Sequence, residues 1–166
     1  MNHSTESAKS NPSIRAFPGN TDSAVDIRWI VCEDGNENRW RWTETLRASI
    51  DGLFLNHRMI VQPALPDQGL SLAMQCQKAG QSNIVVVWSV TPKALMEQCR
   101  RITMLQTSNG SGLQIAATSS IPEKYQIMLS EFGASLQVQQ PEDLQAIVKA
   151  IGRRLGFYSK DFRHRM

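Results

Sequence analysis

The sequence predicts an open α/β fold, a five-stranded parallel sheet with helices on both faces. Apolar runs and helical patterns alternate five times after residue 26, the mark of consecutive strand–helix–strand units. The run Ile84-Val85-Val86-Val87-Trp88 has almost no polar alternation, as a central strand covered on both faces requires. Pro92, Pro122 and Pro141 each stand where a helix opens after a strand, because a residue without an N–H is tolerated in a first helical turn.

Strands are expected at 27–32, 58–62, 84–90, 113–118 and 135–139. The first helix spans 37–55, with Trp42, Leu46, Ile50 and Leu53 recurring on one buried face. The second spans 69–79, with Leu70, Ala73, Met74 and Gln77 around it, and Gly80 ends it in a left-handed cap. The third opens at Pro92 and buries Leu95, Cys99, Ile102 and either Leu105 or Gln106. The fourth opens at Pro122, turns Tyr125, Met128, Leu129 and Phe132 inward and closes at Gly133. The fifth follows Pro141, with Glu142 and Asp143 in its first turn and Arg153 and Arg154 in its last, signs that suit the helix dipole. Leu144, Ile147, Val148, Ile151 and Leu155 form its buried face. Five units of this length fit a flavodoxin-like three-layer sandwich of strand order 2-1-3-4-5.

A length of 166 residues and 41% hydrophobic content suit one domain with a single core. Residues 1–26 are rich in Ser, Asn, Thr, Pro and Gly, too polar to offset the entropy of ordering, and read as a flexible leader. The domain is expected over 27–156, followed by a basic tail at 157–166. A net charge of +3 falls short of the dense cationic stripe that duplex binding needs. The three cysteines, Cys32, Cys76 and Cys99, are odd in number and lack a C-x-x-C pair, so they are expected as reduced core thiols of a cytoplasmic protein. No apolar run is long enough for a signal peptide or a membrane span.

In an open α/β sheet, ligands gather at the carboxyl ends of the strands. There the sequence places Glu33 and Asp34 after the first strand, Trp88 and Ser89 at the third, and Thr118, Ser119 and Ser120 after the fourth. The carboxylate pair suits a hard cation such as Mg2+ through oxygen ligands, or caps the following helix. Ser89 has no histidine base near it, since His3, His57 and His164 lie elsewhere, which argues against serine–histidine catalysis. Ser120 is expected to cap the fourth helix. Arg39-Trp40-Arg41-Trp42 alternates bases with aromatics, but helical phase sends Trp42 to the core and leaves only Trp40 exposed. No G-x-G-x-x-G or P-loop follows the first strand.

Several of these strand ends resemble response-regulator receiver domains. Ile30-Val31-Cys32-Glu33-Asp34 resembles the family's first strand and its magnesium-binding acidic pair. Pro92 resembles the proline after the third strand, and counting back from it puts Trp88 at the phosphoacceptor aspartate. Ala116-Ala117-Thr118 resembles the end of the fourth strand, where Thr118 keeps the expected hydroxyl. Gln140-Pro141 resembles the Lys-Pro after the fifth, with Gln140 in place of the lysine, and the aromatic three residues before that lysine corresponds to Gln137.

Phosphoryl transfer needs a carboxylate nucleophile and a positive partner for the transferring oxygens. Trp88 is not the first and Gln140 is not the second. The resemblance therefore implies a pseudo-receiver, a non-catalytic regulatory domain that is not phosphorylated on aspartate. It would bind a protein partner or self-associate through 121–155, with Tyr125, Arg153 and Arg154 as candidate contacts. Two alternatives remain: a flavodoxin-like enzyme or small-ligand binder at the strand ends, and a nucleic-acid-associated regulator using Arg39, Arg41, Arg153, Arg154 and the tail.

Overall fold

The structure is a computed structural model; it describes residues 27–34, 40–108 and 112–157. Five strands, β1 (Ile27–Cys32), β2 (Met59–Ala64), β3 (Ile84–Ser89), β4 (Leu113–Ala117) and β5 (Leu136–Val138), alternate with five helices, α1 (Arg41–Gly52), α2 (Pro66–Lys78), α3 (Leu95–Thr107), α4 (Glu123–Glu131) and α5 (Leu144–Arg154). All strand pairs are parallel, in the order β2-β1-β3-β4-β5. The expected flavodoxin-like sandwich is the observed fold.

The alternation of side chains along β1 and β3 divides the core into two layers. Ile30, Cys32, Val86 and Trp88 pack with Leu70 and Ala73 of α2, Cys99 and Ile102 of α3 and Leu129 of α4. On the other face, Trp29, Val31, Val85 and Val87 pack with Trp42, Leu46 and Ile50 of α1 and with Leu144 and Val148 of α5. This explains why residues 84–88 are apolar without alternation: each face of the central strand has its own helices. Pro63, which lacks a ladder donor, is accommodated because β2 is an edge strand.

Several boundaries differ from expectation for identifiable reasons. The first helix begins at Arg41, while residues 35–39, which include the expected start, lie outside the described residues. α2 begins three residues before Gly69, at Pro66. Gly69 sits inside the helix, where a Cβ would collide with Cys32 Sγ, so it marks the close approach of α2 to β1 and not a helix start. α3 and α5 are each preceded by a short 3-10 turn, Pro92–Ala94 and Pro141–Asp143.

The inward face expected of α4 is also narrower than predicted. Leu129 alone is fully buried; Met128 is half-buried, and Tyr125 and Phe132 are exposed. β5 is only three residues long, so the sheet beneath α4 offers little surface to cover. In α5, Leu144 and Val148 are buried as expected, whereas Leu155 lies past the last turn and is exposed. In the third stripe it is Leu105 that is buried, and Gln106 faces outward.

Candidate functional site at the strand carboxyl ends

Glu33 follows β1 and is buried. Its Oε1 accepts the Trp42 backbone N–H at 2.9 Å, and its Oε2 accepts the Thr43 backbone N–H at 3.0 Å and the Thr43 hydroxyl at 2.7 Å. The residue at the N-cap of α1, Trp40, has a left-handed backbone (φ 64) and supplies no side-chain cap. Glu33 therefore caps the helix from across the loop, satisfying two N–H groups that would otherwise be orphaned, with its negative charge at the favourable end of the helix. Both oxygens of the expected metal ligand are committed to this task. Asp34 is exposed, and among the described residues no group of three or more His, Cys, Asp or Glu side chains is arranged to hold a metal ion.

Trp88 stands in register with Cys32 of β1 and Ala116 of β4. That places it one residue inside the edge, in the core layer under α2 and α3, with no solvent exposure. Its indole N–H donates to Gln114 Oε1 at 2.9 Å. The Gln114 amide in turn donates to the Ile102 carbonyl of α3 at 3.1 Å and to Gln106 Oε1 at 3.4 Å. The edge position of β3 is Ser89, which is half-buried and whose carbonyl accepts from the Gln98 amide at 3.0 Å.

Thr118 is buried, its backbone N–H donating to the Val138 carbonyl at 2.8 Å and its hydroxyl to the same oxygen at 3.3 Å. Ser120 does not cap α4, which has Pro122 at its N-cap and no side-chain cap. Gln140 is exposed, and its N–H donates to Asp143 Oδ2 at 3.0 Å, a closure of the turn before α5. Gln137 ties β5 to α4, its amide donating to the Gln126 carbonyl and to Ser130 Oγ. The structure thus gathers Glu33, Trp88 and Thr118 at neighbouring strand ends and engages all three internally.

A crevice of about 670 Å3, not foreseen from the sequence, opens beside these ends, between the starts of α2 and α3. Arg101 lies across it, with only 12% of its side chain exposed. Its Nε donates to Asp67 Oδ1 at 2.8 Å, one terminal nitrogen donates to Gln98 Oε1 at 3.3 Å, and the other approaches Glu97 at 3.6 Å. The acidic first turns of α2 and α3 were the available signal, but their convergence on one arginine needs the fold. Burial pushes the Cys32 thiol far up, an effect that Arg101 partly opposes and Glu33 reinforces. Burial also raises the Cys99 thiol. Neither thiol is poised as a nucleophile.

No family model matches the chain, and no curated protein matches it. Among solved structures, it is similar to that of a CheY-like protein, TadZ, from Pseudomonas aeruginosa, with a TM-score of 0.56 and 13% identity over 81% of this chain and 96% of that one. The fold is receiver-like. The shared architecture places the ends of β1, β3 and β4 side by side, which is where Glu33, Trp88 and Thr118 lie. No described helix is long and apolar enough to cross a membrane.

Proposed function

We propose that this chain is a receiver-like regulatory domain that works by protein–protein contact and does not accept a phosphoryl group on aspartate. The observation that carries this reading is the fate of the third strand end: Trp88 is sealed in the core with its N–H satisfied, and the edge residue beside it is Ser89. A phosphoacceptor needs an accessible carboxylate with a cation beside it. The oxygens of Glu33 serve α1, and Gln140 carries no charge. In this reading Glu33 and Asp34 hold no Mg2+. The three free, buried cysteines suit a reducing compartment, and we place the protein in the cytoplasm.

The contact surface we assign is α4 and β5 with the end of α5. Ile127 is 67% exposed and Leu136 41% exposed, on elements joined by Gln137. Two large apolar side chains on neighbouring exposed elements favour a partner that covers them. Arg153 and Arg154 are exposed in the last turn of α5, where they suit the rim of such an interface. The test is copurification from cells with the tagged full chain and its Ile127→Glu/Leu136→Glu variant. The reading expects a stoichiometric partner retained by the first and lost by the second; a partner retained equally by both contradicts it.

The small-ligand alternative rests on the crevice beside Arg101. Asp67, Glu97 and Gln98 already surround that guanidinium, and Asp34 and Lys93 are the other exposed charged groups on the same lining. For the nucleic-acid alternative, Arg39 and residues 158–166 of the tail lie outside the described residues, and Arg41 opens α1 while Arg153 and Arg154 close α5.

A further inference from the structure

The turn that ends α1 carries an aromatic residue in a backbone conformation that side chains rarely adopt. Phe54 has a left-handed backbone, φ 57, because the helix closes in a Schellman motif. The Phe54 N–H donates to the Asp51 carbonyl and the Leu55 N–H to the Ile50 carbonyl, both at 3.0 Å. The corresponding position after α2, α4 and α5 is held by Gly80, Gly133 and Gly156, each with positive φ. Phenylalanine there is strained, and its ring gains little packing in return, since Phe54 is 69% exposed. A strained, solvent-facing ring in the place of glycine points to contact with something outside the domain.

The Arg58 guanidinium lies 5.1 Å from the Phe157 ring centroid, which joins the turn after α1 to the end of α5 at the amino-terminal edge of the sheet. Leu155, 40% exposed, stands there with the exposed Arg153 and Arg154. Among the described residues no carboxylate forms an ion pair with Arg58, Arg153 or Arg154. Asp51 is the one carboxylate in the last turns of α1 and α5 and in residues 53–58 and 155–157. On the α1 and α5 face this edge is therefore cationic and carries two exposed apolar side chains. Lys78 and Glu131, which end α2 and α4, lie on the other face. The sequence after Phe157 adds Lys160, Phe162, Arg163 and Arg165 against Asp161.

We infer that this edge docks the protein on an anionic lipid bilayer, with Phe54 and Leu155 entering the boundary between headgroups and acyl chains and Arg58, Arg153 and Arg154 among the lipid phosphates. A bilayer accepts protruding apolar side chains without a shape-matched pocket, and arginine stems lie along apolar surface while their charges stay in water. Each cation close to an anionic surface adds to the attraction. A second copy of this chain fits less well, because a two-fold contact here would set Arg153 and Arg154 against their own copies. Nucleic acid also fits less well, because one free ring is no stacking row for successive bases. No described helix is long and apolar enough to cross the bilayer, so the attachment is peripheral and reversible. The inference goes beyond the protein-contact reading: the two surfaces share Arg153 and Arg154, but Phe54 belongs to neither α4 nor β5.

The test is cosedimentation of the full chain with vesicles of phosphatidylcholine and phosphatidylglycerol, and with vesicles of phosphatidylcholine alone. The expected result is binding to the mixed vesicles that weakens with added salt, and none to the neutral ones. Phe54→Gly should lower the affinity about tenfold, as for an apolar ring left unburied, while its midpoint in urea unfolding stays unchanged or rises because backbone strain is relieved. Arg153→Glu/Arg154→Glu should lower the affinity by about tenfold or more. Ile127→Glu/Leu136→Glu should bind vesicles as the wild type does, which separates this surface from the α4 and β5 contact. No binding to the mixed vesicles, equal binding to the neutral ones, or binding unchanged in Phe54→Gly overturns the inference. A lowered urea midpoint in Phe54→Gly also overturns it, since the ring would then be structural. Release from the vesicles by a single-stranded oligonucleotide whose own binding is lost in Phe54→Gly overturns it in favour of nucleic acid, and a dimer abolished by Phe54→Gly in favour of a second copy.

Discussion

The indole N–H of Trp88 and the side-chain oxygen of Gln114 meet at 2.9 Å across the β3–β4 ladder, in the buried layer under α3. Gln114 passes the connection on to the Ile102 carbonyl, so one polar side chain joins two strands to a helix. On the opposite face Trp29 is equally buried, but its indole N–H has no partner among the described residues. The Trp88 site is thus a completed polar network buried at the end of the third strand.

Breaking that network leaves a buried donor or acceptor unsatisfied, which costs about 1–3 kcal/mol. Gln114→Leu is expected to destabilise the fold by that order in urea unfolding, and Trp88→Phe by a similar amount. The double variant should lose less than the sum, because neither partner then remains orphaned. Strict additivity would mean that the 2.9 Å contact contributes nothing.

Removing the Glu33 cap should loosen one end of one helix. Glu33→Ala is expected to cost about 1–2 kcal/mol, as for other lost N-caps, and hydrogen exchange should quicken at the Trp42 and Thr43 amides and not in α3. Uniform acceleration over the whole domain, or none at those two amides, would contradict the capping role.

Gly69 offers a test by sign. Glycine to alanine inside a helix ordinarily stabilises by up to about 1 kcal/mol. Here the new methyl would strike Cys32 Sγ, so Gly69→Ala should destabilise by about 1–3 kcal/mol, and Cys32→Ala should recover part of that loss. A stabilised Gly69→Ala would show that α2 does not pack this closely on β1.

The thiols give a pH prediction. Burial raises Cys32 and Cys99 above their ordinary value of 9.0. Above that pH the unfolded chain releases protons that the folded chain retains, so stability should fall as pH rises through and beyond 9, and be insensitive to these groups below it. Alkylation of native protein at pH 8 should be slow for both thiols and fast in denaturant; rapid labelling of native Cys32 would contradict its burial.

Much of the scaffold is legible in the sequence because it depends on local periodicity. The uninterrupted run at 84–88, the stripe Trp42, Leu46 and Ile50, and Gly80 with its left-handed φ of 76 were each readable without a fold. What was not legible depends on distant partners. Glu33 reads as a cap sooner than a ligand, but its bonds to the Trp42 and Thr43 N–H groups, nine and ten residues on, appear only in the fold. Trp88 is conspicuous in the sequence as an indole near the end of a β-branched run, but its bond to Gln114 spans 26 residues. Gly69 looked like a helix start because a packing glycine and a boundary glycine are the same letter. The stripe of α4 suggested four inward residues, and only the short β5 reveals that there is too little sheet to bury them.

The most direct test of the central claim is to incubate the full chain with acetyl phosphate and Mg2+ and follow intact mass together with tryptophan fluorescence. If the strand-end site is filled by its own side chains, no phosphoryl adduct should form and Trp88 should report no change. A phosphoryl adduct labile to hydroxylamine, or a saturable Mg2+-dependent fluorescence change lost in Glu33→Ala/Asp34→Ala, would show that the site is still a working receiver centre.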